Sequence, residues 1–301
     1  MGRFWGGLDG AGRARLRSQV GPGAGAWLTA LPTTTDLIVR PVWFDVALRM
    51  RLGLPLPAYG SVCAHCGHGV DPYGFHHFAC NANGRLRRRA AVLERAWLRV
   101  VREAGATRSV PQPLVRKLGV FGLAETDTRR LDVAAYGLDV RGGLPLLLDA
   151  TLRSPFSREG VPHPGAATVS GSTFAAAYGD KLRVYRDVAG SGQVAFVVVA
   201  EEVFGRFCAT SRQLVGELVR AHCQDAGHVL RRWLELGWHR RWWGLLSVAV
   251  QVAVAGSIVP DAPAFEEAEG RLIPRLRTTH DHRSLLEVEH EGPEVSRLPL
   301  R

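Results

Sequence analysis

Lysine is nearly missing from this basic sequence. Only two of its 38 lysine and arginine residues are lysine, Lys117 and Lys181, and the formal net charge is +10 at pH 7. The positive charge is therefore almost all guanidinium, which binds phosphate through paired hydrogen bonds, and this favours a polyanionic partner. A genome-wide bias towards arginine is the alternative explanation. Such a bias accounts less well for clustering, since residues 85–108 hold eight arginines and two glutamates.

The sequence also lacks an apolar run of the roughly 20 residues that a membrane-spanning helix needs. Its most apolar stretch, residues 245–259, is shorter and contains Gln251. We therefore expect a buried helix or strand there and no membrane partner. No secretory signal peptide is visible, so we expect a protein that is not secreted. With 301 residues and 46% hydrophobic composition, the chain can bury a core in one large domain or two smaller ones.

Cysteine is scarce, and its placement is uneven. Three of the five cysteines, Cys63, Cys66 and Cys80, fall within eighteen residues, and with His76 they form the pattern Cys-x2-Cys-x9-His-x3-Cys. Structural zinc sites use four tetrahedral ligands drawn from thiolate and imidazole, and a Cys-x2-Cys turn can place two sulfurs on one ion. The spacing therefore predicts a zinc knuckle over residues 61–84 rather than disulfides. A loop with free thiols is the alternative.

Spacing also selects the histidine of the zinc knuckle. His76 and Cys80 are four residues apart, so one short helical turn can present both side chains to the same ion. Three neighbouring histidines are alternative ligands: His65, His68 and His77.

An arginine cluster follows the zinc knuckle at once: Arg85, Arg87, Arg88 and Arg89. These residues open a predicted amphipathic helix over residues 85–104, which ends at Gly105. A zinc knuckle that leads into a basic helix is typical of nucleic-acid binding. We therefore expect the four arginines to contact the phosphates of DNA, with RNA as an alternative partner.

The apolar pattern of the chain predicts an α/β fold. Helices are expected over residues 41–52, 166–189, 206–222 and 228–240. Strands are expected over residues 131–136, 144–151 and 193–200. The first two strands form a predicted hairpin, because turn residues lie between them. After residue 260 the sequence is polar and mixed in charge, which indicates a loose tail.

Two acidic residues lie inside the predicted hairpin. Asp132 is on its first strand and Asp149 is near the end of its second, and both have apolar neighbours. A carboxylate is costly to bury unless it is paired or binds a cation. Two carboxylates on adjacent strands can converge on one Mg²⁺, and Lys181 on the following helix can orient an attacking water. The alternative is that each acid lies at a strand end and faces solvent.

Two glutamates are weaker candidates. Glu94, on the helix over residues 85–104, is a further candidate metal ligand, although the favoured interpretation is an exposed partner for an arginine four residues away. Glu201 follows the valine-rich strand over residues 193–200, and we expect it to have a structural role.

Together these motifs resemble the C-terminal part of site-specific non-LTR retrotransposon proteins of the early-branching type, over residues 20–255. In that family a Cys-Cys-His-Cys knuckle precedes a restriction-enzyme-like endonuclease. The nuclease carries Arg-Pro-Asp, a second Asp on the next strand, and a Lys followed four residues later by Tyr. The matching residues here are Arg130, Asp132, Asp149, Lys181 and Tyr185.

The sequence departs from the family pattern at two positions. Leu131 replaces the proline of the Arg-Pro-Asp motif, and Thr151 stands where restriction-type nucleases often carry lysine. Lys181 is then the relocated equivalent of that lysine. The sequence contains no reverse transcriptase.

The resemblance implies a restriction-endonuclease-like core, a mixed central sheet flanked by helices, over residues 85–225. An irregular and helical segment over residues 1–60 and the zinc knuckle would precede this core. A C-terminal helical segment over residues 226–260 and the loose tail over residues 261–301 would follow it.

The function that the resemblance implies is a DNA endonuclease of the nucleus that depends on a divalent metal. Asp132 and Asp149 would hold Mg²⁺ or Mn²⁺, Lys181 would assist the attacking water, and Arg130 and Tyr185 would support phosphate and fold. One alternative is a zinc-stabilised nucleic-acid-binding remnant without catalysis. Another is a protein-interaction fragment whose tryptophans contact a partner, namely Trp233, Trp238, Trp242 and Trp243.

Overall fold

A mixed α/β architecture, in which a four-stranded mixed sheet is flanked by helices, is present in the computed structural model of the protein. The structure describes residues 7–56, 62–63, 66–82 and 85–259. His65 and the loose tail predicted over residues 261–301 lie outside the described residues. The predicted boundaries between segments stay a prediction.

The helices and strands are numbered in chain order within the described residues. The helices are α1 (Gly10–Gln19), α2 (Pro41–Leu52), α3 (Phe75–Ala79), α4 (Arg85–Glu103), α5 (Phe174–Val184), α6 (Arg186–Ala189), α7 (Ala209–His222) and α8 (His228–Ile258). The strands are β1 (Arg108–Pro111), β2 (Val133–Tyr136), β3 (Leu146–Arg153) and β4 (Ala195–Glu202).

The helices predicted over residues 41–52 and 85–104 are confirmed, the one over residues 206–222 begins at Ala209, and the one over residues 166–189 is wrong at its start. Pro41 lies in the first turn of α2, and Gly53 ends this helix in the left-handed conformation with φ of 69°. Helix α4 matches the prediction over residues 85–104. The helix predicted over residues 166–189 begins only at α5, because the residues before α5 form turns, and a break at Tyr185 separates α5 from α6.

The sheet has the order β1-β2-β3-β4. Strands β1 and β2 are antiparallel, as are β2 and β3, which confirms the predicted hairpin, although β2 begins two residues later than predicted and excludes Asp132. Strand β4 is parallel to β3, with Leu146 opposite Ala195 and Arg153 opposite Glu202. Parallel neighbours need a long crossover connection, and this connection contains α5 and α6. The sheet topology therefore carries α5 back across β3.

The two faces of β3 pack against different layers. Leu146 and Leu148 belong to the main core, which they share with residues of α4, α7 and α8. Leu147 points to the opposite face and packs in a second cluster with Val188 of α6. Because side chains alternate along a strand, Asp149 lies on the face of Leu147, beneath the α5–α6 crossover.

Helix α8 joins the helix predicted over residues 228–240 and the buried stretch predicted over residues 245–259. Its length and composition would suffice to cross a membrane, but 78% of its most apolar 18-residue window is buried inside the protein. The buried Trp242 and Arg241 both donate hydrogen bonds to Glu103 of α4. Trp233 near the start of α8 is 70% exposed, so the tryptophans of this helix do not share one environment.

Glu201 of β4 is completely buried in the main core. Its Oε1 accepts a hydrogen bond of 3.1 Å from the Trp97 indole of α4. Glu201 follows Val197 and Val199 at two-residue spacing and so shares their face, which packs in the main core and is opposite to the face of Asp149. Burial raises the pKa of Glu201 to about 8, so that the carboxyl group is mainly neutral at pH 7.

We expect the substitution Glu201→Gln to remove a pH dependence of stability. The pKa of Glu201 is raised on folding from 4.5, so its stabilising contribution is complete below that pH and is lost as pH rises to about 8. Between pH 4.5 and about 8, the free energy of unfolding of the wild type should therefore fall by a few kcal/mol relative to that of Glu201→Gln. Chemical denaturation at a series of pH values measures it, and parallel pH curves for the two proteins would contradict the expectation.

Candidate metal centres

The four predicted zinc ligands come together in the structure. The ligand atoms of Cys63, Cys66, His76 and Cys80 all lie within 4.8 Å of one another. Cys66 Sγ lies 3.7 Å from Cys80 Sγ and 3.2 Å from His76 Nε2. Two thiolates on a tetrahedral zinc ion, with Zn–S bonds of about 2.3 Å, lie about 3.8 Å apart. The cluster is therefore consistent with a zinc site.

Two local structures present the ligands. The first is a turn after Cys63, whose carbonyl accepts a hydrogen bond of 2.9 Å from the Gly67 amide. Gly67 has φ of 72°, a conformation that favours glycine. The second is α3, where the Cys80 amide donates to the His76 carbonyl at 2.9 Å, so that both side chains lie on one helical turn, as predicted.

His76 is the histidine that joins the cysteines. Burial, and then the nearby charge of Arg158, lowers the pKa of His76, which favours the neutral imidazole that a metal ion requires. The alternative His68 is exposed, and its Nε2 lies 3.1 Å from Arg158 Nη2. His77 is buried but lies outside the ligand cluster.

The zinc knuckle is anchored to the rest of the protein by aromatic rings. Phe75 of α3 stacks on Phe156, which follows β3, with ring centroids 4.1 Å apart. Phe78 and Phe204 contact each other at 5.6 Å, and Phe204 also contacts Phe156. The knuckle therefore packs against the chain that leaves the strand of Asp149.

Arg89, one of the four arginines predicted to contact phosphates, is buried rather than exposed. Arg89 is only 4% exposed, and its Nη2 donates a hydrogen bond of 2.8 Å to the Phe78 carbonyl. It points into the protein because α4 turns this face towards the zinc knuckle. This position excludes Arg89 from a surface that grips phosphates. Arg87 and Arg88 are exposed on the first turn of α4.

Removal of the knuckle histidine should release zinc. We expect the purified wild type to contain about one zinc ion per chain and His76→Asn to lose it, since three thiolates alone leave the tetrahedral site incomplete. His76→Asn should also lower the melting temperature by roughly 10 °C, the effect of about 3 kcal/mol in a domain of this size. His68→Asn is the matched control, and equal zinc content in both variants by elemental analysis would refute the ligand assignment.

Asp132, the residue before β2, lies close to Asp149 of β3. Val133 is the first residue of β2 and pairs with Leu148, the residue before Asp149. The Asp132 amide donates to the Leu148 carbonyl at 3.1 Å, so Asp132 lies beside β3 at the point where the regular pairing with β2 ends. The charges of Asp149 and Lys181 both act on the Asp132 carboxyl, and the charges of both aspartates act on Tyr185, so the two carboxylates lie near each other on one side of the sheet. The carboxylates therefore do not point to opposite faces of the sheet.

A single lysine balances this pair of carboxylates. Lys181 of α5 places its Nζ 2.9 Å from Asp149 Oδ2, and the Asp149 side chain is only 2% exposed. Asp132 Oδ2 accepts a hydrogen bond of 2.5 Å from the Ala150 amide. Burial, and then the negative charge of Asp149, raises the pKa of Asp132 to about 8. The site therefore holds more negative potential than Lys181 neutralises.

Tyr185 and Arg130 hold the chain that leads into Asp132. The Tyr185 hydroxyl donates a hydrogen bond to the Arg130 carbonyl, and the Arg130 Nη1 donates to the Gln112 carbonyl at 2.8 Å. Burial, and then the charges of Asp149 and Asp132, raises the pKa of Tyr185, so that its hydroxyl keeps the proton that it donates. The two predicted supporting residues thus form hydrogen bonds to backbone carbonyls. Arg130 is also an exposed residue.

Glu94 has a different role from the favoured interpretation. The residues three and four positions away are alanine, tryptophan and leucine, so no arginine is available at helical spacing. Instead, Glu94 Oε2 accepts a hydrogen bond of 2.8 Å from Gln112 Nε2, and its charge contributes to the raised pKa of Asp132. Gln112 has a left-handed φ of 45°, and its amide donates to the Asp132 carbonyl at 2.9 Å. Sequence reasoning missed Gln112, because its backbone conformation has no signal in the sequence.

Comparisons with known proteins add no assignment. No protein-family model matches the sequence, and no curated protein matches it significantly.

Proposed function

We propose that this protein is a divalent-metal-dependent DNA endonuclease module of a retrotransposon-derived protein, which hydrolyses a phosphodiester bond. The observation that carries the proposal is the close pair of Asp132 and Asp149 beside Lys181. The resemblance of the motifs to the retrotransposon nuclease adds to this argument, since that nuclease has a mixed central sheet flanked by helices, the architecture seen here.

The electrostatics of the carboxylate pair favour a cation. Like charges close to each other are destabilising, and burial increases the repulsion. Lys181 contributes one positive charge, at Asp149. In the free protein the second positive charge is the proton on Asp132, whose pKa is raised to about 8. A divalent cation would replace that proton, since a metal ligand has to be deprotonated.

The donor set fits magnesium or manganese. Both are bound by oxygen, and Mg²⁺ sites often use one or two carboxylates with waters and a substrate phosphate. Asp132 and Asp149 would hold the ion, while Glu94, whose charge contributes to the raised pKa of Asp132, is held by Gln112 and stays outside this pair. Such an ion lowers the pKa of a bound water and stabilises charge on the scissile phosphate.

The protein side chains have separate tasks in this proposal. The Lys181 ammonium fixes Asp149 and can donate a further hydrogen bond to an attacking water or a phosphate oxygen. Tyr185 and Arg130 keep the approach to β2 in place, so that the Asp132 carboxylate stays close to Asp149. Catalysis of phosphodiester cleavage depends on this kind of positioning, because small displacements of the reacting groups are costly.

A nucleic-acid-binding module without catalysis is the second candidate. The raised pKa of Asp132 favours it, since a protonated Asp132 can lie close to Asp149 stably with no cation bound. In that case Arg87 and Arg88 would hold DNA or RNA, and the zinc knuckle would fix the start of α4. Nuclear residence follows from the family resemblance for either candidate.

Cleavage of supercoiled DNA tests the proposal. With Mg²⁺ or Mn²⁺ present, Asp132→Asn and Asp149→Asn should each lower the cleavage rate at least about 100-fold, the loss typical for a group that stabilises transition-state charge. Lys181→Met should also lose activity. Glu201→Gln is the matched control, because it changes a buried carboxyl on the opposite face of the sheet and should cleave like the wild type.

Two outcomes would decide against the endonuclease. If the wild type and both aspartate variants cleave at the same rate, the activity is a contaminant. If the wild type binds DNA in a filter assay but never cleaves it, the binding module is selected.

A further inference from the structure

A shallow groove runs between α5 and α6, on the outer side of the crossover that carries Lys181. Small residues, Gly179, Ala189 and Gly190, line it together with Leu182. Three larger side chains, called here the rim, also line it: Tyr178, Arg183 and Arg186. Small residues allow a close approach of another backbone, and none of the described residues that line this groove is acidic.

The rim side chains are available to a ligand. The Arg183 side chain is 78% exposed, and Tyr178 is 46% exposed. Arg186 is exposed as well. Exposed aromatic rings beside guanidinium groups are the combination that holds nucleic acid, because bases or sugars stack on the ring while the guanidiniums bind phosphates.

The acidic residues near the groove are already paired. Asp187 binds Arg129, with Nη1 to Oδ1 at 3.0 Å. Asp180 binds Arg153 at 2.8 Å and reaches Arg183 only at 3.4 Å. Asp187 is bound by Arg129, and Asp180 is shared between Arg153 and the rim residue Arg183, so the rim keeps a net positive charge.

We propose that this groove, the α5–α6 groove, binds the sugar-phosphate backbone of a DNA strand next to the cleavage site. The inference rests on the proposed endonuclease function, since it names where the substrate continues. Tyr178 and Lys181 are three residues apart on α5 and are therefore neighbours on the helix surface, within one turn of about 5.4 Å. A strand with its phosphate at the carboxylate pair would thus meet the rim of the groove at its next nucleotides.

The inference is tested by DNA binding without divalent cations, so that cleavage has no part in the result. A fluorescently labelled duplex is titrated with the wild type, with the double variant Arg183→Gln and Arg186→Gln, and with a control double variant, Arg232→Gln and Arg240→Gln. The control removes two exposed arginines of α8 and changes the net charge equally. Circular dichroism checks that each variant is folded.

We expect the groove variant to bind about tenfold more weakly, and the slope of log affinity against log salt to fall by about 1.8, since each phosphate contact contributes about 0.9. The control variant should bind like the wild type. Equal weakening in both double variants, or wild-type binding by the groove variant, would overturn the proposal. Competition by polyglutamate as effective as competition by unlabelled DNA would also overturn it, because the groove would then bind any polyanion.

The failure of this inference is distinguishable from the failure of the proposed function. If the wild type cleaves DNA and the groove variant binds DNA as tightly as the wild type, the nuclease site is present without this binding site. A protein that never cleaves, but loses affinity through the groove variant alone, has the binding site without the nuclease.

Discussion

The structure around the sheet depends on one constraint, a buried carboxylate, Asp149, next to the partly buried carboxylate of Asp132. The Lys181 ammonium of the crossover helix forms an ion pair with Asp149. The antiparallel pairing of β2 with β3 brings Asp132 close to Asp149, and the parallel pairing of β4 requires a crossover that brings Lys181 onto Asp149. A compact ammonium suits this position better than a broad guanidinium. In a chain with only one other lysine, the choice of lysine here has a physical reason.

The zinc knuckle and the sheet support each other through a small aromatic contact. Phe75, one residue before the ligand His76, stacks on Phe156, three residues after β3 ends. A zinc ion would fix the knuckle, and the stacked rings would transmit that order to the chain leaving the strand of Asp149. Metal binding and folding are coupled in small zinc sites, so zinc at the knuckle would also order the chain that follows β3.

Sequence patterns predicted the parts of the structure that local chemistry determines. Proline and glycine at its ends defined α2, and cysteine and histidine spacing identified the four clustered ligands. Strand β1 was not located, because a four-residue strand at the sheet edge has little apolar pattern. The inward turn of Arg89 and the bond between Glu94 and Gln112 depend on how separate elements meet, which residue spacing does not reveal.

The two candidate metal centres differ in donor chemistry, so each would bind a different kind of metal ion. Thiolate and imidazole select zinc, whereas carboxylates select magnesium or manganese, so the two centres need not compete for one ion. At the carboxylate pair the competitor is a proton. The pKa of Asp132 is raised to about 8, so in the proposed nuclease a cation would have to displace this proton before it could bind a phosphate. Under the proposed function, the same geometry would serve a nuclease where a cation displaces the proton and a neutral structural pair where the proton stays.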